Sequence, residues 1–228
     1  NYIIYNKTDL FIRFFMINAI LQYPVFYRLY QKTVRSHYSE YDFLKYLFSN
    51  LKYKNLKVLD LCCGDSFILN YVNQNIDSYL GVDNSDKYLE FSKNKWPQYD
   101  FQKLDLNDES SIENVKKFQP NFIFINGALH HLDDKTVLNI NKLIKIFNQS
   151  IFLSVDPVKS NNKFLNNIMI TFDRGKFIRE KNHYAKLMDN CDSIIIDDFY
   201  RMSFKQIFHY NNINLEKLYS NWKKTLSK

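Results

Sequence analysis

The chain has 228 residues, with 31 Lys and Arg against 24 Asp and Glu, so its formal net charge at neutral pH is +7. This length is enough to bury a full core and is common for a single α/β domain. The three cysteines (Cys62, Cys63 and Cys191) exclude a disulfide framework, and they lack the Cys-x-x-Cys spacing of a metal site. We therefore expect a protein of the reducing cytoplasm.

The positive charge alone would suit a nucleic-acid partner. The basic residues are scattered along the chain, however, and the whole sequence is rich in Asn, Lys, Ile, Phe and Tyr. This pattern is typical of a compositional bias toward lysine. A nucleic-acid partner is therefore the less favoured interpretation.

The N-terminal region, residues 1–50, is expected to form a helical cap or lid, in which Pro24 opens one of two or three helices. Residues 10–21 are the most apolar run of the chain, and they include Arg13. This run is shorter than the ~20 residues that a helix needs to span a bilayer. We expect a packing helix and no transmembrane segment here, with peripheral membrane contact as the alternative.

From Lys57 onward, short apolar runs alternate with helical patterns. This alternation requires βαβ crossovers and hence a parallel sheet with helices on both faces. Strands are predicted at residues 57–62, 78–83, 100–104, 121–126, 150–156 and 193–197, with an antiparallel partner between 201 and 210. Helices are predicted at residues 66–75, 86–95, 109–117, 133–148 and 214–226. We expect residues 51–228 to form one α/β domain with a seven-stranded, mostly parallel sheet.

The segment 57–66 predicts a buried strand that runs directly into a tight turn and a helix. The turn contains Gly64, and Asp83 ends the next predicted strand 19 residues later (83 − 64 = 19). An acid ~20 residues after such a glycine binds ribose hydroxyls in nucleoside-binding α/β proteins. A dinucleotide is not expected, because Cys62 and Phe67 replace two glycines of Gly-x-Gly-x-x-Gly, and no Walker A sequence follows. The remaining candidate is a cofactor that has a ribose but no phosphates.

Five segments resemble the motifs of class I S-adenosylmethionine-dependent methyltransferases in order and spacing, and flanking segments resemble those of a bacterial subgroup. The five segments are Val58–Gly64, Val82–Asp83, Lys103–Leu106, Asn126–Leu132 and Ile151–Pro157. The first motif has Cys62 where the family usually has glycine. The resemblance implies a Rossmann-like fold and S-adenosyl-L-methionine as the cofactor.

The resemblance also implies which residues bind the cofactor. Asp83, with Asn84 beside it, would bind the ribose hydroxyls, and Asp105 the adenine amino group, with Leu106 against the ring. The other expected cofactor residues are Asp60, Cys62, Gly64 and Asn126. Three alternatives remain open: Asp83 caps the next helix, Asp105 forms a turn, and Asp60 is purely structural.

Methyl transfer to a hydroxyl or amine needs a base that removes the proton of the acceptor. His130 and His131 follow the fourth predicted strand and Asp156 ends the fifth, so these three are the candidate catalytic residues. The alternative is that one of the histidines only bonds to Asp133 at the start of the next helix. Tyr27, Tyr30 and Arg179 are the candidate acceptor-binding residues. No metal is expected, because no second and third ligand accompany Asp156.

Together these patterns predict a cytoplasmic S-adenosylmethionine-dependent methyltransferase. The acceptor is expected to be a small molecule, such as a metabolite, a saccharide or a lipid-linked precursor. An RNA or protein methyltransferase is one alternative, favoured by the net charge. A non-catalytic S-adenosylmethionine-binding module is another, favoured by Cys62 in the place of glycine.

Overall fold

The computed structural model describes residues 40–51, 55–72, 76–108, 113, 115–159, 175–196 and 205–226. Most of the predicted N-terminal cap lies outside these residues, including the apolar run at 10–21. The predicted acceptor-binding residues Tyr27 and Tyr30 lie outside them too, as does most of the predicted helix at 109–117.

The described elements follow the predicted alternation of strands and helices. The helices are α1 (Glu40–Asn50), α2 (Leu69–Val72), α3 (Asp86–Lys95), α4 (Asp134–Ile146), α5 (Lys181–Leu187) and α6 (Leu215–Leu226), with a 3-10 helix at Leu129–His131. The strands are β1 (Lys57–Leu61), β2 (Ser78–Asp83), β3 (Asp100–Lys103), β4 (Phe122–Asn126), β5 (Ile151–Pro157), β6 (Asp192–Ile196) and β7 (Gln206–Asn211).

The strands form a seven-stranded sheet in the order β3-β2-β1-β4-β5-β7-β6. Strands β1 to β5 are parallel to one another, whereas β7 is antiparallel to both β5 and β6. The predicted fold class is thus confirmed. The chain leaves β1 toward β2 on one side and later returns to β4 on the other side. This reversal creates a crevice at the carboxyl ends of β1 and β4, where ligands of open α/β sheets bind.

Strand β4 shows how the sheet divides the interior into two hydrophobic clusters. Phe122 and Phe124 belong to one cluster and Ile123 and Ile125 to the other, and all four side chains are buried. Successive side chains of a strand point to opposite faces, so an unbroken apolar run fills both clusters at once. The first cluster lies under α1, α2, α3 and α6, and the second under α4 and α5.

Two helices differ from the prediction. Helix α2 begins at Leu69 rather than at residue 66, because Ser66 has a left-handed φ of +51° that a helix cannot include. Helix α5 was not predicted, since seven residues give too short a periodic pattern. Asn214 caps the start of α6, because its side-chain oxygen accepts from the backbone N–H of Lys217 at 3.0 Å. Among the described residues, no helix has the length and apolar character for a membrane span.

Candidate functional site

The turn after β1 contains three residues with left-handed backbone geometry. Cys62, Gly64 and Ser66 have φ of +57°, +53° and +51°. A side chain in this conformation costs ~1–2 kcal/mol, a cost that glycine avoids. The turn therefore keeps a glycine-type backbone at the two positions where this chain has cysteine and serine. The predicted contact of Cys62 with a cofactor stays a prediction.

Gly81 explains how this turn fits against β2. A Cβ atom added to Gly81 would lie 2.8 Å from the Phe101 ring and 3.0 Å from the sulfur of Cys63. The backbone N–H of Cys63 also donates to the carbonyl of Val82 at 3.0 Å. The absence of a side chain at residue 81 therefore lets the turn lie directly on the second strand.

Asp83 contacts the same turn directly. Its Oδ2 accepts from the backbone N–H of Gly64 at 2.9 Å, and its Oδ1 accepts from the N–H of Ser85 at 2.9 Å. Burial raises the pKa of this carboxyl, while the backbone hydrogen bonds oppose that rise. Each carboxylate oxygen has a second lone pair, so both oxygens can also accept from a ribose hydroxyl. Asn84, the other predicted ribose residue, is exposed beside it.

Asp60 lies behind the turn, on the face of the first hydrophobic cluster. Its side chain is 3% exposed, and its Oδ2 accepts from the Tyr79 hydroxyl at 2.5 Å. Burial raises its pKa to about 7; the bond from Tyr79 opposes this rise, and the charges of Asp83 and Asp65 add to it. These contacts support the structural interpretation of Asp60, and its predicted contact with a cofactor stays a prediction.

The third predicted motif ends in a turn at the edge of the sheet. The Oδ1 of the exposed Asp105 accepts from the backbone and side-chain amides of Asn107 at 2.9 and 3.0 Å. Leu106 is buried, and the N–H of Leu104 donates to the carbonyl of Asp83 at 3.0 Å. The expected turn is therefore present, and it holds Asp105 near the end of β2. Adenine binding by Asp105 stays a prediction.

Asn126, at the end of β4, has a partner that the sequence did not indicate. Its side-chain amide donates to the hydroxyl of Tyr41 on α1 at 3.1 Å. The Tyr41 ring stacks on Tyr71 with centroids 5.1 Å apart and meets the edge of Phe67 at 5.2 Å. Tyr41 therefore links α1 to the crevice and to the segment after the turn. No local pattern could reveal this contact, because 85 residues separate its partners.

His130 and Asp156 form a buried pair at the carboxyl ends of β4 and β5. The Nδ1 of His130 lies 2.7 Å from Oδ1 of Asp156, and the backbone N–H of His130 donates to the same oxygen at 3.1 Å. A carboxylate only accepts hydrogen bonds, so this contact places the ring proton on Nδ1 and makes Nε2 the basic nitrogen. His131 is exposed, with its ring centroid 4.1 Å from that of His130. Asp133, which the sequence offered as an alternative partner of the histidines, caps α4 by accepting from the backbone N–H of Thr136.

Arg179 has partners that the sequence did not indicate, and its predicted contact with an acceptor stays a prediction. Its guanidinium donates to the carbonyls of Leu129, Leu132 and Phe177 and twice to Oδ1 of Asp134, at distances of 2.7 to 3.1 Å. A guanidinium has five N–H donors, and these contacts use all five. Arg179 therefore braces the 3-10 helix in this structure. A direct contact with an acceptor would require it to release one of these bonds.

Cys62 shows that the predicted residues converge. Its thiol is half-buried against the second hydrophobic cluster, and burial raises its pKa, with further contributions from the charges of Asp83, Asp60 and Asp156. One side chain thus lies within electrostatic reach of acids from β1, β2 and β5. Over the described ranges, no three His, Cys, Asp or Glu side chains are grouped as metal ligands would be.

The fold is similar to that of solved methyltransferases. The methyltransferase domain of bacterial CtHen1 has a TM-score of 0.54 and 16% identity, over 74% of this chain and 99% of that one. Geranyl diphosphate C-methyltransferase from Streptomyces coelicolor has a TM-score of 0.53 and 10% identity, over 73% of this chain and 75% of that one. Magnesium protoporphyrin IX methyltransferase from Synechocystis has a TM-score of 0.55 and 14% identity, over 75% of this chain and 80% of that one. No family model and no curated protein sequence matches the chain.

These likenesses define the class of fold. The described residues have the Rossmann-like fold of class I S-adenosylmethionine-dependent methyltransferases, as the resemblance of the five motifs implied. At 10–16% identity the likeness concerns the fold alone. Activity and ligands are therefore argued from the site itself.

Proposed function

We propose that this protein is an S-adenosylmethionine-dependent methyltransferase that acts on a small molecule. The observation that carries the proposal is the contact between the carboxylate of Asp83 and the backbone N–H of Gly64 at 2.9 Å. It joins the two features that an adenosyl cofactor requires, an open glycine turn and a ribose-binding acid, at the switch point of the sheet.

The residues at this crevice fit such a cofactor. A Cβ added to Gly64 would meet no described atom within 4 Å, so the space over the turn is open to a ligand. In this proposal the turn lies along the methionine part, Asp83 accepts from the ribose hydroxyls, and Asp105 accepts from the adenine amino group. The buried Leu106 offers an apolar surface for the adenine ring.

The pair of His130 and Asp156 would remove the proton of the acceptor. The bound cofactor supplies a methyl group that its sulfonium charge already activates, so the protein mainly aligns the acceptor and excludes water. Asp156 holds the His130 ring in the tautomer whose Nε2 is basic. Nε2 would take the proton from the hydroxyl or amine of the acceptor. His131, whose ring lies beside that of His130, is the second candidate base.

Two observations support a small acceptor. Two of the similar structures are methyltransferases named for small molecules, geranyl diphosphate and magnesium protoporphyrin IX. The basic residues of this chain are also scattered along the sequence rather than gathered in one stretch. The net charge of +7 favours RNA as the alternative acceptor, and a steep loss of RNA affinity with rising salt would support it. A non-catalytic module would bind S-adenosylmethionine without any transfer.

Replacement of Asp83 by alanine tests the proposal through cofactor binding. We expect Asp83→Ala to weaken S-adenosylhomocysteine binding at least ~10-fold, about 1.4 kcal/mol or more, in a calorimetric titration. The matched control is Asp77→Ala, because Asp77 is an exposed acid at the opposite end of the same strand. Equal affinity of the Asp83 and Asp77 variants would remove Asp83 from the site. Absence of binding to the unaltered protein would refute the function as a whole.

A further inference from the structure

The segment 175–180 lies across the 3-10 helix that carries His130. The backbone N–H of Phe177 donates to the carbonyl of His130 at 2.9 Å. The Arg179 side chain reaches the carbonyls of Leu129 at 2.9 Å and Leu132 at 2.7 Å. Three carbonyls on and next to the 3-10 helix are therefore held by one short stretch of chain.

The same segment is fixed to the strand that carries Asp156. Arg179 forms a parallel bridge with Val158, and its carbonyl accepts from the N–H of Lys159 at 3.0 Å. The side chain of Arg179 thus contacts the helix of one partner while its backbone contacts the strand of the other. The relative position of His130 and Asp156 is set through this residue.

Burial and charge make this connection rigid. The side chain of Arg179 is 3% exposed, and it pairs with Asp134 at 2.7 Å. Burial raises the pKa of Asp134, but the hydrogen bonds and positive charges of Arg179 and His183 together outweigh this effect, so the pKa is lowered. The guanidinium also lies 5.6 Å from the ring centroids of Phe177 and Tyr184. A buried, paired arginine with every donor used has little freedom to move.

We propose that Arg179 is a positioning residue for the His130–Asp156 pair, an inference that rests on the proposed role of His130 as the base. The hydrogen bond from Nδ1 is 2.7 Å long. A shift of the 3-10 helix by a few tenths of an ångström would lengthen it and weaken the control of the tautomer. Lysine in place of Arg179 keeps the positive charge but cannot reach the two flanking carbonyls and Asp134 together.

Proton NMR of the full chain with bound S-adenosylhomocysteine tests this inference without any acceptor. The Nδ1 proton of His130 is assigned by its disappearance in His130→Gln. We expect Arg179→Lys to move this signal upfield or to abolish it through exchange with water, while a thermal melt shows a folded protein. An unchanged signal in folded Arg179→Lys would overturn the inference, since it would leave Arg179 a merely structural residue.

Asp134→Asn provides a second test if Arg179→Lys fails to fold. It removes the negative charge that pairs with Arg179, and the altered side chain is half-exposed. We expect an upfield shift of the same signal that is smaller than in Arg179→Lys. The control is Asp189→Asn, because Asp189 bonds to Asn141 and Lys145 in the second half of α4. Equal responses of the Asp134 and Asp189 variants would contradict the inference. Failure of the unaltered protein to bind S-adenosylhomocysteine would instead count against the proposed function.

Discussion

Replacement of Asp60 by asparagine should stabilise the protein, and more so at high pH. Asp60 is buried under the turn that follows β1, and it accepts a hydrogen bond from Tyr79. Above the pH at which it ionises, the folded protein must hold a buried negative charge. Asparagine has nearly the same shape and stays neutral, and its carbonyl oxygen can still accept from the Tyr79 hydroxyl.

The size of the effect follows from the pKa of Asp60. Burial raises this pKa from 3.8 to about 7, a shift of about 3 units. Between these two values the folded chain keeps a proton that the unfolded chain has released, so the free energy of unfolding falls as the pH rises and levels off above about 7. At ~1.4 kcal/mol per unit the full cost is about 4 kcal/mol. Of this, about 2–3 kcal/mol develops between about pH 5 and about pH 8.5.

Urea denaturation at these two pH values, without added cofactor, measures the effect. The informative quantity is the difference in the free energy of unfolding between Asp60→Asn and the unaltered protein, because other groups also titrate. Burial lowers the pKa of His209 to about 3, for example, so that its contribution to stability rises with pH up to about 6.5. Taking the difference cancels such contributions, and Asp77→Asn controls for the loss of an exposed carboxylate just before the neighbouring strand β2.

Tyr79→Phe is the complementary change. It removes the hydrogen bond that lowers the pKa of Asp60, so we expect stability to fall more steeply with pH than in the unaltered protein. If the advantage of Asp60→Asn is the same at both pH values, the reasoning fails, because the pKa of Asp60 would then be no higher in the folded protein than in the unfolded chain.

Two further predictions concern the turn and the candidate base. Ser66→Gly should raise the free energy of unfolding by about 1–2 kcal/mol in thermal denaturation, because it removes the strain of a side chain at a left-handed φ. It also removes a buried hydroxyl that has no hydrogen bond of ordinary geometry among the described residues. Ser66→Ala should gain less, since it keeps the strain; an equal gain would contradict the strain argument. The double change of His130 and His131 to alanine should lower turnover more than cofactor affinity, once transfer of labelled methyl groups to metabolite fractions has identified an acceptor. Unchanged turnover would eliminate both as the base.

The amino-acid sequence was sufficient for the parallel sheet and for the places of Gly64 and Asp83 after its first strand and at the end of its second. Strands buried on both faces appear as short apolar runs, and the connection between two parallel strands has a narrow range of lengths. The spacing of 19 residues therefore corresponds to the direct hydrogen bond found between the two residues. The strand bounds agree with the prediction to within one residue for β1 to β5.

The partners of the site residues were decided by the tertiary structure. His130 and Asp156 were each predicted, but their pairing depends on how the 3-10 helix lies against β5. Tyr41 was missed because its partner is 85 residues away. The partners of Arg179 were missed because a sequence does not show which donors of a side chain are already used. Periodicity and spacing report the local backbone, whereas contacts between distant side chains arise only when the packed elements bring them together.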